Sequence, residues 1–276
     1  MKYNYGSHIG VSKYGIVNAV DEIIKYHGNF IQIFVTNPLS KKTTTRSDEE
    51  LLTLKHYAKQ RDVKIVIHAP YLLNFAREFD KNSWYIKSLM DHLIISDKIG
   101  SIGVVVHCGK YLHLDKSEAI DNMYLNLKYI LDNFKGESKI LLETPCGQGT
   151  ELGYRLEEFK LIYNKFSTED KKRIRICVDT CHVFVAGYDL TTKEKVNEFI
   201  KLFENTIGWK YVDLIHLNDS KYKIGSRLDR HSMIKKGAIG IKGIGQVIKF
   251  IHKSGIPFIM ETNLDDNILI EIKKYF

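Results

Sequence analysis

The sequence lacks several features that mark other classes of protein. No apolar run is long enough to cross a bilayer, and the start, MKYNYGSHIG, is too polar and reaches a glycine too early for a signal peptide. Only four cysteines and four prolines occur in 276 residues. The cysteines form no CxxC pair, so we expect free thiols in a reducing compartment rather than disulfides. We therefore expect a soluble, cytoplasmic protein, with the nucleus or a virion as alternatives that depend on its source.

The chain also lacks a tail of like charge and a linker rich in proline, glycine or serine. Lys and Arg number 41 against 33 Asp and Glu, a net charge of +8, and the basic residues are scattered. This excess suits a polyanionic partner that binds the folded body, but it does not identify one. Hydrophobic residues at 44% and charged residues at 27% exclude disorder. Because the length is near that of one α/β barrel, we predict a single domain over residues 1–276.

Eight short apolar runs rich in β-branched residues predict eight strands. They cover residues 3–9, 30–36, 63–68, 103–107, 139–144, 174–180, 211–217 and 256–262. Most are continuously apolar, as is typical of parallel strands buried on both faces. Amphipathic stretches lie between them, such as 47–60 and 116–134, with Ser47 and Ser117 as candidate N-caps. The pattern predicts an α/β fold, a single (β/α)8 TIM barrel. The alternative, a doubly wound open sheet, needs a glycine-rich phosphate turn after the first strand, which this chain lacks.

Six of the predicted strands end in a side chain that can bind metal, spaced roughly 36–45 residues apart, or one βα repeat. These residues are His68, His107, Glu143, Asp179, His216 and Glu261. The C-terminal ends of barrel strands meet at one rim, so we expect the six side chains in one pocket. Three further candidates follow in loops, namely His182, Asp229 and His231.

The chemistry of these nine side chains favours a metal cluster. Carboxylates that end runs as apolar as KILL or IPFIM are unfavourable to bury unless cations lie among them. Imidazoles and carboxylates without a thiolate suit catalytic Zn, Mn or Fe rather than structural zinc. We expect the side chain of Cys181 to point away from its neighbours' ligand atoms. Nine ligands, with one carboxylate bridging, are enough for about three ions with open positions, a cluster suited to phosphodiester hydrolysis.

Several stretches resemble endonuclease IV, the family of zinc-dependent apurinic/apyrimidinic (AP) endonucleases built on a TIM barrel. They are HAPYLLN (68–74), LLETPCGQGTELGY (141–154), CVDTCHVFVAGYD (177–189), HLNDSKYKIGSRLDRH (216–231) and the glycines of KKGAIG (235–240), and the similarity covers essentially the whole chain. The resemblance implies three Zn²⁺ per chain, with Mn²⁺ as a possible substitute. It assigns the first zinc to His68, His107 and Glu143, the second to Glu143, Asp179, His216 and Glu261, and the third to His182, Asp229 and His231. Glu143, Asp179 and Glu261 are the implied catalytic carboxylates.

The resemblance also implies an activity and a partner. The activity is hydrolysis of the phosphodiester 5′ of an abasic site in double-stranded DNA, which leaves a 3′-hydroxyl and a 5′-deoxyribose phosphate, together with trimming of 3′ ends in base excision repair. We expect a monomer without membrane contact. The implied DNA contacts are Tyr71, Leu72, Lys41, Lys42 and Arg230, although an exposed aromatic at position 71 equally suits packing over the barrel mouth. Leu39 replaces the arginine that the family inserts into DNA, and Lys235 replaces a usual glycine.

Two other classes of function compete with this interpretation. A sugar isomerase or epimerase on the same barrel also places His, Glu and Asp around a divalent ion, but it needs only one or two ions. A DNA-binding barrel that has lost catalysis is the second alternative, and we would then expect some ligand to be replaced. His8, in the GSHIG segment, is predicted to support the pocket from below, and Gln148 is predicted to order the loop after the fifth strand.

Overall fold

The computed structural model describes residues 4–41 and 46–262, together with residues 272 and 274. In chain order its strands are β1 (Tyr5–His8), β2 (Phe30–Ile33), β3 (Lys64–His68), β4 (Val104–His107), β5 (Ile140–Glu143), β6 (Ile174–Asp179), β7 (Val212–His216), β8 (Asp219–Ser220), β9 (His231–Ser232) and β10 (Phe258–Met260). All except β8 and β9 are parallel and close into a barrel, in which β10 pairs with β1. This closure confirms the predicted TIM barrel and excludes the open sheet.

Helices surround the barrel and connect its strands. They are α1 (Val11–Tyr14), α2 (Ala19–Lys25), α3 (Asp48–Gln60), α4 (Trp84–Ile99), α5 (Lys116–Asn133), α6 (Leu156–Tyr163), α7 (Asp170–Arg173), α8 (Thr180–Ala186), α9 (Lys193–Thr206) and α10 (Gly240–Ser254), with a 3₁₀ turn at Trp209–Tyr211. Their apolar faces pack on the outside of the strands and form the larger core. Among the described residues, no helix combines the length and the apolar character that a membrane span requires.

The structure confirms one of the two predicted helix caps and all of the predicted barrel strands. Ser47 caps α3 as predicted, because its hydroxyl accepts a hydrogen bond from the Glu50 amide at 3.1 Å. The cap predicted at Ser117 is wrong, since α5 begins at Lys116 and its N-cap is Asp115. Each predicted barrel strand is present, although the one predicted at 3–9 includes Tyr3, which lies outside the described residues. The antiparallel hairpin of β8 and β9 was not predicted.

One layer of apolar side chains fills the interior of the barrel. It comprises Phe30, Val66, Val105, Leu141, Cys177, Leu214 and Ile259. Gly6 pairs with Phe30 and Ile259 in the strand register. A Cβ at Gly6 would lie 1.7 Å from the Phe30 carbonyl oxygen, so this strand position admits only glycine. Since strand residues two apart share a face, the layer above these side chains opens into the barrel mouth.

Candidate metal centre

Seven polar side chains form a ring at the barrel mouth, which we call the mouth layer. Each lies two residues after a member of the apolar layer, and the set is Gln32, His68, His107, Glu143, Asp179, His216 and Glu261. All seven are buried or half-buried. Strand register also places His107 beside Glu143 and Asp179 beside His216. The six strand-end residues predicted from the sequence therefore converge as expected.

The first group of ligand atoms joins His68, His107 and Glu143. Nε2 of His107 lies 3.0 Å from Oε2 of Glu143, and Nε2 of His68 lies 3.4 Å from the same oxygen. The three ligand atoms lie within 4.8 Å of one another, which is a spacing that one ion can bridge.

The second group shares Glu143 with the first and adds Asp179, His216 and Glu261. The three carboxylates of this group lie around Nδ1 of His216. This nitrogen lies 2.8 Å from Oε1 of Glu143, 3.4 Å from Oε2 of Glu261 and 3.8 Å from Oδ2 of Asp179. The two oxygens of Glu143 face different groups, so its carboxylate links the first group to the second.

The third group consists of His182, Asp229 and His231. Oδ1 of Asp229 lies 3.2 Å from Nε2 of His182 and 3.3 Å from Nε2 of His231. His182 is in the first turn of α8, and its amide donates to the Asp179 side chain, which caps that helix. The hairpin brings His231 to the pocket, since it is the first residue of β9.

Three ligand atoms that make no hydrogen bond show that these residues fit metal ions. Among the described residues, Oε2 of Glu143, Nε2 of His182 and Nε2 of His231 are buried and form no hydrogen bond, although each lies 3.0–3.3 Å from a facing imidazole or carboxylate. Such atoms are unfavourable in a protein interior unless an ion or a water molecule satisfies them. The outward ring nitrogens are satisfied, because Nδ1 of His68 donates to the Ala69 carbonyl at 2.7 Å and Nδ1 of His182 donates to the Thr144 carbonyl at 2.9 Å. Backbone contacts of this kind orient histidine ligands in metal sites.

The electrostatics of the pocket also favour cations. Burial raises the pKa of Glu143, but the imidazoles of His216 and His107 outweigh burial and hold that pKa well below its usual range. Burial lowers the pKa of His182, and the facing carboxylates of Asp179 and Asp229 reverse this and raise the pKa well above its ordinary value. The pocket therefore favours positive charge, carried either by protons or by metal ions.

Two buried amides support the ligands and were missed by the sequence reasoning. The side chain of Gln32 contacts both His216 and Glu261. Nδ2 of Asn218 donates to Asp179 at 2.7 Å and to Glu261 at 3.0 Å, and its Oδ1 accepts from the Glu261 amide at 3.0 Å. The spacing of two residues after the apolar layer was the available signal for Gln32.

The expectation for Cys181 is wrong. The structure brings its sulfur within 4.8 Å of ligand atoms of Asp179 and His231, because Cys181 lies in the first turn of α8 rather than in an extended strand. Burial raises the pKa of its thiol to about 12. The thiol is therefore held protonated, and Cys181 is a weaker candidate for a metal ligand than the nearby imidazoles.

The loops that flank the third group are tied to each other. Nε of Arg227 donates to the Gly147 carbonyl at 2.7 Å, and the Asp229 amide lies 3.3 Å from Oε1 of Gln148. Gln148 thus links the loop after β5 to the loop after β7, and its predicted role in ordering the first of these loops stays a prediction. His8 lies at the edge of the pocket, 3.5 Å from the Gln32 amide, and belongs to none of the ligand groups among the described residues.

Of the residues predicted to contact DNA, Tyr71 lies against the histidines of the pocket. Tyr71 is 47% exposed, and its ring also packs 5.3 Å from that of His68 and 5.5 Å from that of His107. Leu72 is 40% exposed and Leu39, where the family inserts arginine, is 72% exposed. The Tyr71 amide donates to the Pro38 carbonyl at 3.2 Å, which joins the loops after β2 and β3.

The basic candidates differ in their surroundings. The ammonium group of Lys41 lies 5.2 Å from the centre of the Trp84 ring, and Lys42 lies outside the described residues. Arg230 is exposed next to Asp229. Lys235 adopts a φ of 77°, a left-handed conformation that glycine accepts more readily. The segment therefore keeps a backbone that suits the family's glycine at this position.

Comparisons with known proteins agree with this fold. The family model described as "Xylose isomerase-like TIM barrel" matches residues 20–274, which defines the class of protein. A protein named "Probable endonuclease 4" from Halothermothrix orenii is 34% identical over 93% of this chain and 92% of its own length. Another of that name, from Thermotoga maritima, is 33% identical over 98% of this chain and 95% of its own length.

A solved structure is similar over nearly its whole length. The crystal structure of endonuclease IV from Thermus thermophilus has a TM-score of 0.82 and 27% sequence identity, and the match covers 99% of this chain and 97% of the other. The chain belongs to the endonuclease IV family, which confirms the resemblance. It is a nuclease, a hydrolase of the AP endonuclease type.

Proposed function

We propose that this chain hydrolyses the phosphodiester 5′ of an abasic site in double-stranded DNA, leaving a 3′-hydroxyl and a 5′-deoxyribose phosphate, and that it also trims 3′ ends in base excision repair. The observation that carries the proposal is the set of three ligand groups in one pocket, two of which share Glu143. The relatives named endonuclease 4 support DNA as the substrate.

The proposed cofactor is three Zn²⁺ per chain, with Mn²⁺ as a substitute. His68, His107 and Glu143 would hold the first, Glu143, Asp179, His216 and Glu261 the second, and His182, Asp229 and His231 the third. Ions held there would supply Lewis acidity and would make a water nucleophile available near neutral pH. The ligand set supports this assignment, because imidazole and carboxylate are what catalytic zinc sites use.

The residues of the pocket and its mouth have three further proposed roles: balancing charge, filling the gap of the missing base and contacting phosphates. Glu143, Asp179 and Glu261 balance the charge of the ions, and the amides of Gln32 and Asn218 hold the carboxylates in place. Tyr71 and Leu72 lie at the mouth, where an apolar side chain can fill the space of a missing base. Lys41, Lys42 and Arg230 are proposed to contact phosphates, which fixes the position of the duplex.

The proposal extends to the whole chain, residues 1–276, as one domain that acts as a monomer. A reducing, cytoplasmic compartment is proposed from the cysteines, all four of which are buried and free. The rival isomerase chemistry has no use for the group formed by His182, Asp229 and His231, whose atoms approach each other as closely as those of the other groups.

The proposal is tested with a duplex that carries one tetrahydrofuran abasic analogue. This analogue cannot undergo β-elimination, so a nick on its 5′ side demonstrates hydrolysis. We expect nicking by the metal-loaded protein, loss of nicking after chelation, and recovery when Zn²⁺ is added back. A matched intact duplex is the control. Absence of nicking by protein shown to contain metal would overturn the proposed substrate.

A further inference from the structure

Gln32 is buried completely in the mouth layer and yet belongs to none of the ligand groups found among the described residues. It lies two residues after Phe30 on β2 and therefore on the same face of the strand, so its side chain points into the barrel mouth beside the second group. A buried amide needs partners for its two N–H donors and its carbonyl oxygen. The hydrogen-bond partners of the Gln32 side chain therefore indicate its role in the pocket.

The neighbours of Gln32 allow only one orientation of its amide. Nε2 of Gln32 donates to Oε1 of Glu261 at 2.7 Å, and Oε1 of Gln32 lies 2.8 Å from Nε2 of His216. A carboxylate accepts hydrogen bonds and does not donate them, so the amide nitrogen must face Glu261. The amide oxygen then faces His216 and can only accept. His216 must therefore donate through Nε2–H.

This choice of proton determines what His216 offers to the pocket. With the proton on Nε2, the lone pair of the neutral ring is on Nδ1, which faces oxygens of Glu143, Glu261 and Asp179. A lone pair directed at carboxylates is unfavourable unless a cation lies between them. Nδ1 is thus available for a metal ion, or for an exchangeable proton when no ion is bound.

His216 differs here from two other histidines of the centre. His68 and His182 donate through their outward nitrogens to backbone carbonyls, which no side-chain substitution removes. The outward nitrogen of His216 has the side chain of Gln32 instead. The hydrogen bond of this outward nitrogen therefore depends on one replaceable side chain.

We propose that Gln32 is a positioning residue, which holds His216 as the Nε2–H tautomer and turns the carboxylate of Glu261 so that both present ligand atoms to the same ion. The inference rests on the proposed metal centre and adds a determinant of the affinity of its second site. Partners that orient metal ligands typically contribute 10- to 100-fold to metal affinity.

The test compares Gln32→Leu with Asn126→Leu. Asn126 is an equally buried amide, and it donates to the backbone carbonyls of Phe75 and Asn122, away from the ligands. Zinc is withdrawn from each loaded protein with chelators of graded affinity. We expect Gln32→Leu to release one ion roughly 10- to 100-fold more readily and to keep the others. Asn126→Leu loses stability but releases zinc as the wild type does.

A second measurement does not require Gln32→Leu to fold. Nitrogen-15 spectra of the histidine rings of the wild-type protein report the tautomer of His216, whose signals are assigned by their absence in His216→Asn. We expect a protonated Nε2 in the loaded protein. A protonated Nδ1 with a bare Nε2 would overturn the inference, as would unchanged zinc affinity in Gln32→Leu. If the wild type binds no zinc, the proposed metal centre itself fails, which is a different outcome.

Discussion

The proposed metal ligands at the strand ends and those on the loop after β7 are held in place by different means. Strand register places the first kind, because it puts His107 beside Glu143 and Asp179 beside His216, and buried side chains such as Gln32 and Asn218 then orient them. Asp229 and His231 have no such frame. They depend on the hairpin of β8 and β9, whose strands have two residues each, and on contacts between loops. One such contact runs from Arg227 to the Gly147 carbonyl.

The loop also contains backbone conformations that the strands avoid. Arg227 and Lys235 have φ values of 55° and 77°, and each such position costs a residue with a side chain roughly 1–2 kcal/mol. Asp219 offsets this by accepting hydrogen bonds from the amides of Ser220 and Ile239 at 2.8 and 2.9 Å. The positions of the strand-end residues thus follow from strand register, whereas the positions of the loop residues need additional hydrogen bonds within and between loops.

The largest expected effect comes from the bridging strand-end ligand. Glu143→Gln keeps the volume of the side chain but removes the charge shared by two groups, so we expect nicking of the abasic duplex to fall by on the order of 10³-fold or more. About two of the three ions should be lost, as measured by elemental analysis. Glu158→Gln is the control, because Glu158 is also buried but pairs with Lys116 on the barrel's outer side. Equal activities of the two variants would remove Glu143 from the centre.

A smaller loss is expected from the loop group. His231→Asn removes a ligand of the third group and leaves both groups that contain Glu143 intact. We expect the loss of about one ion and a decrease in nicking of roughly 10²-fold. Single-turnover nicking and the metal content of the same samples measure both. If His231→Asn lost as many ions as Glu143→Gln, the strand-end and loop groups would not be separable.

The smallest expected effect concerns the loop after β3, next to the ligand His68. Tyr71→Ala should reduce the preference for abasic over intact duplex by about 1–3 kcal/mol, because filling a missing-base gap stabilises only the lesion complex. Phe79→Ala is the matched control. Phe79 lies in the same loop with similar exposure but packs on Tyr129. Binding titrations with both duplexes measure the preference, and equal losses on the two would show that Tyr71 only packs over the barrel mouth.

The sequence was sufficient to predict the barrel and the converging strand ends, because an apolar run that stops at an ionisable residue is readable without a structure. Gln32 was missed because it lies inside its run, FIQIF, rather than at the end. The hairpin was missed because strands of two residues show no periodicity. Cys181 was misplaced because the chain turns from strand to helix directly after Asp179, which changes the direction of the next side chains.

The most direct test of the metal centre is the number of metal ions in fully active wild-type protein. We predict close to three ions per chain, mainly zinc, because two groups at the strand ends share Glu143 and His182, Asp229 and His231 form a third. Elemental analysis is paired with nicking of the tetrahydrofuran duplex on the same preparation. One ion per chain at full activity would contradict the trinuclear centre and favour the isomerase type of site.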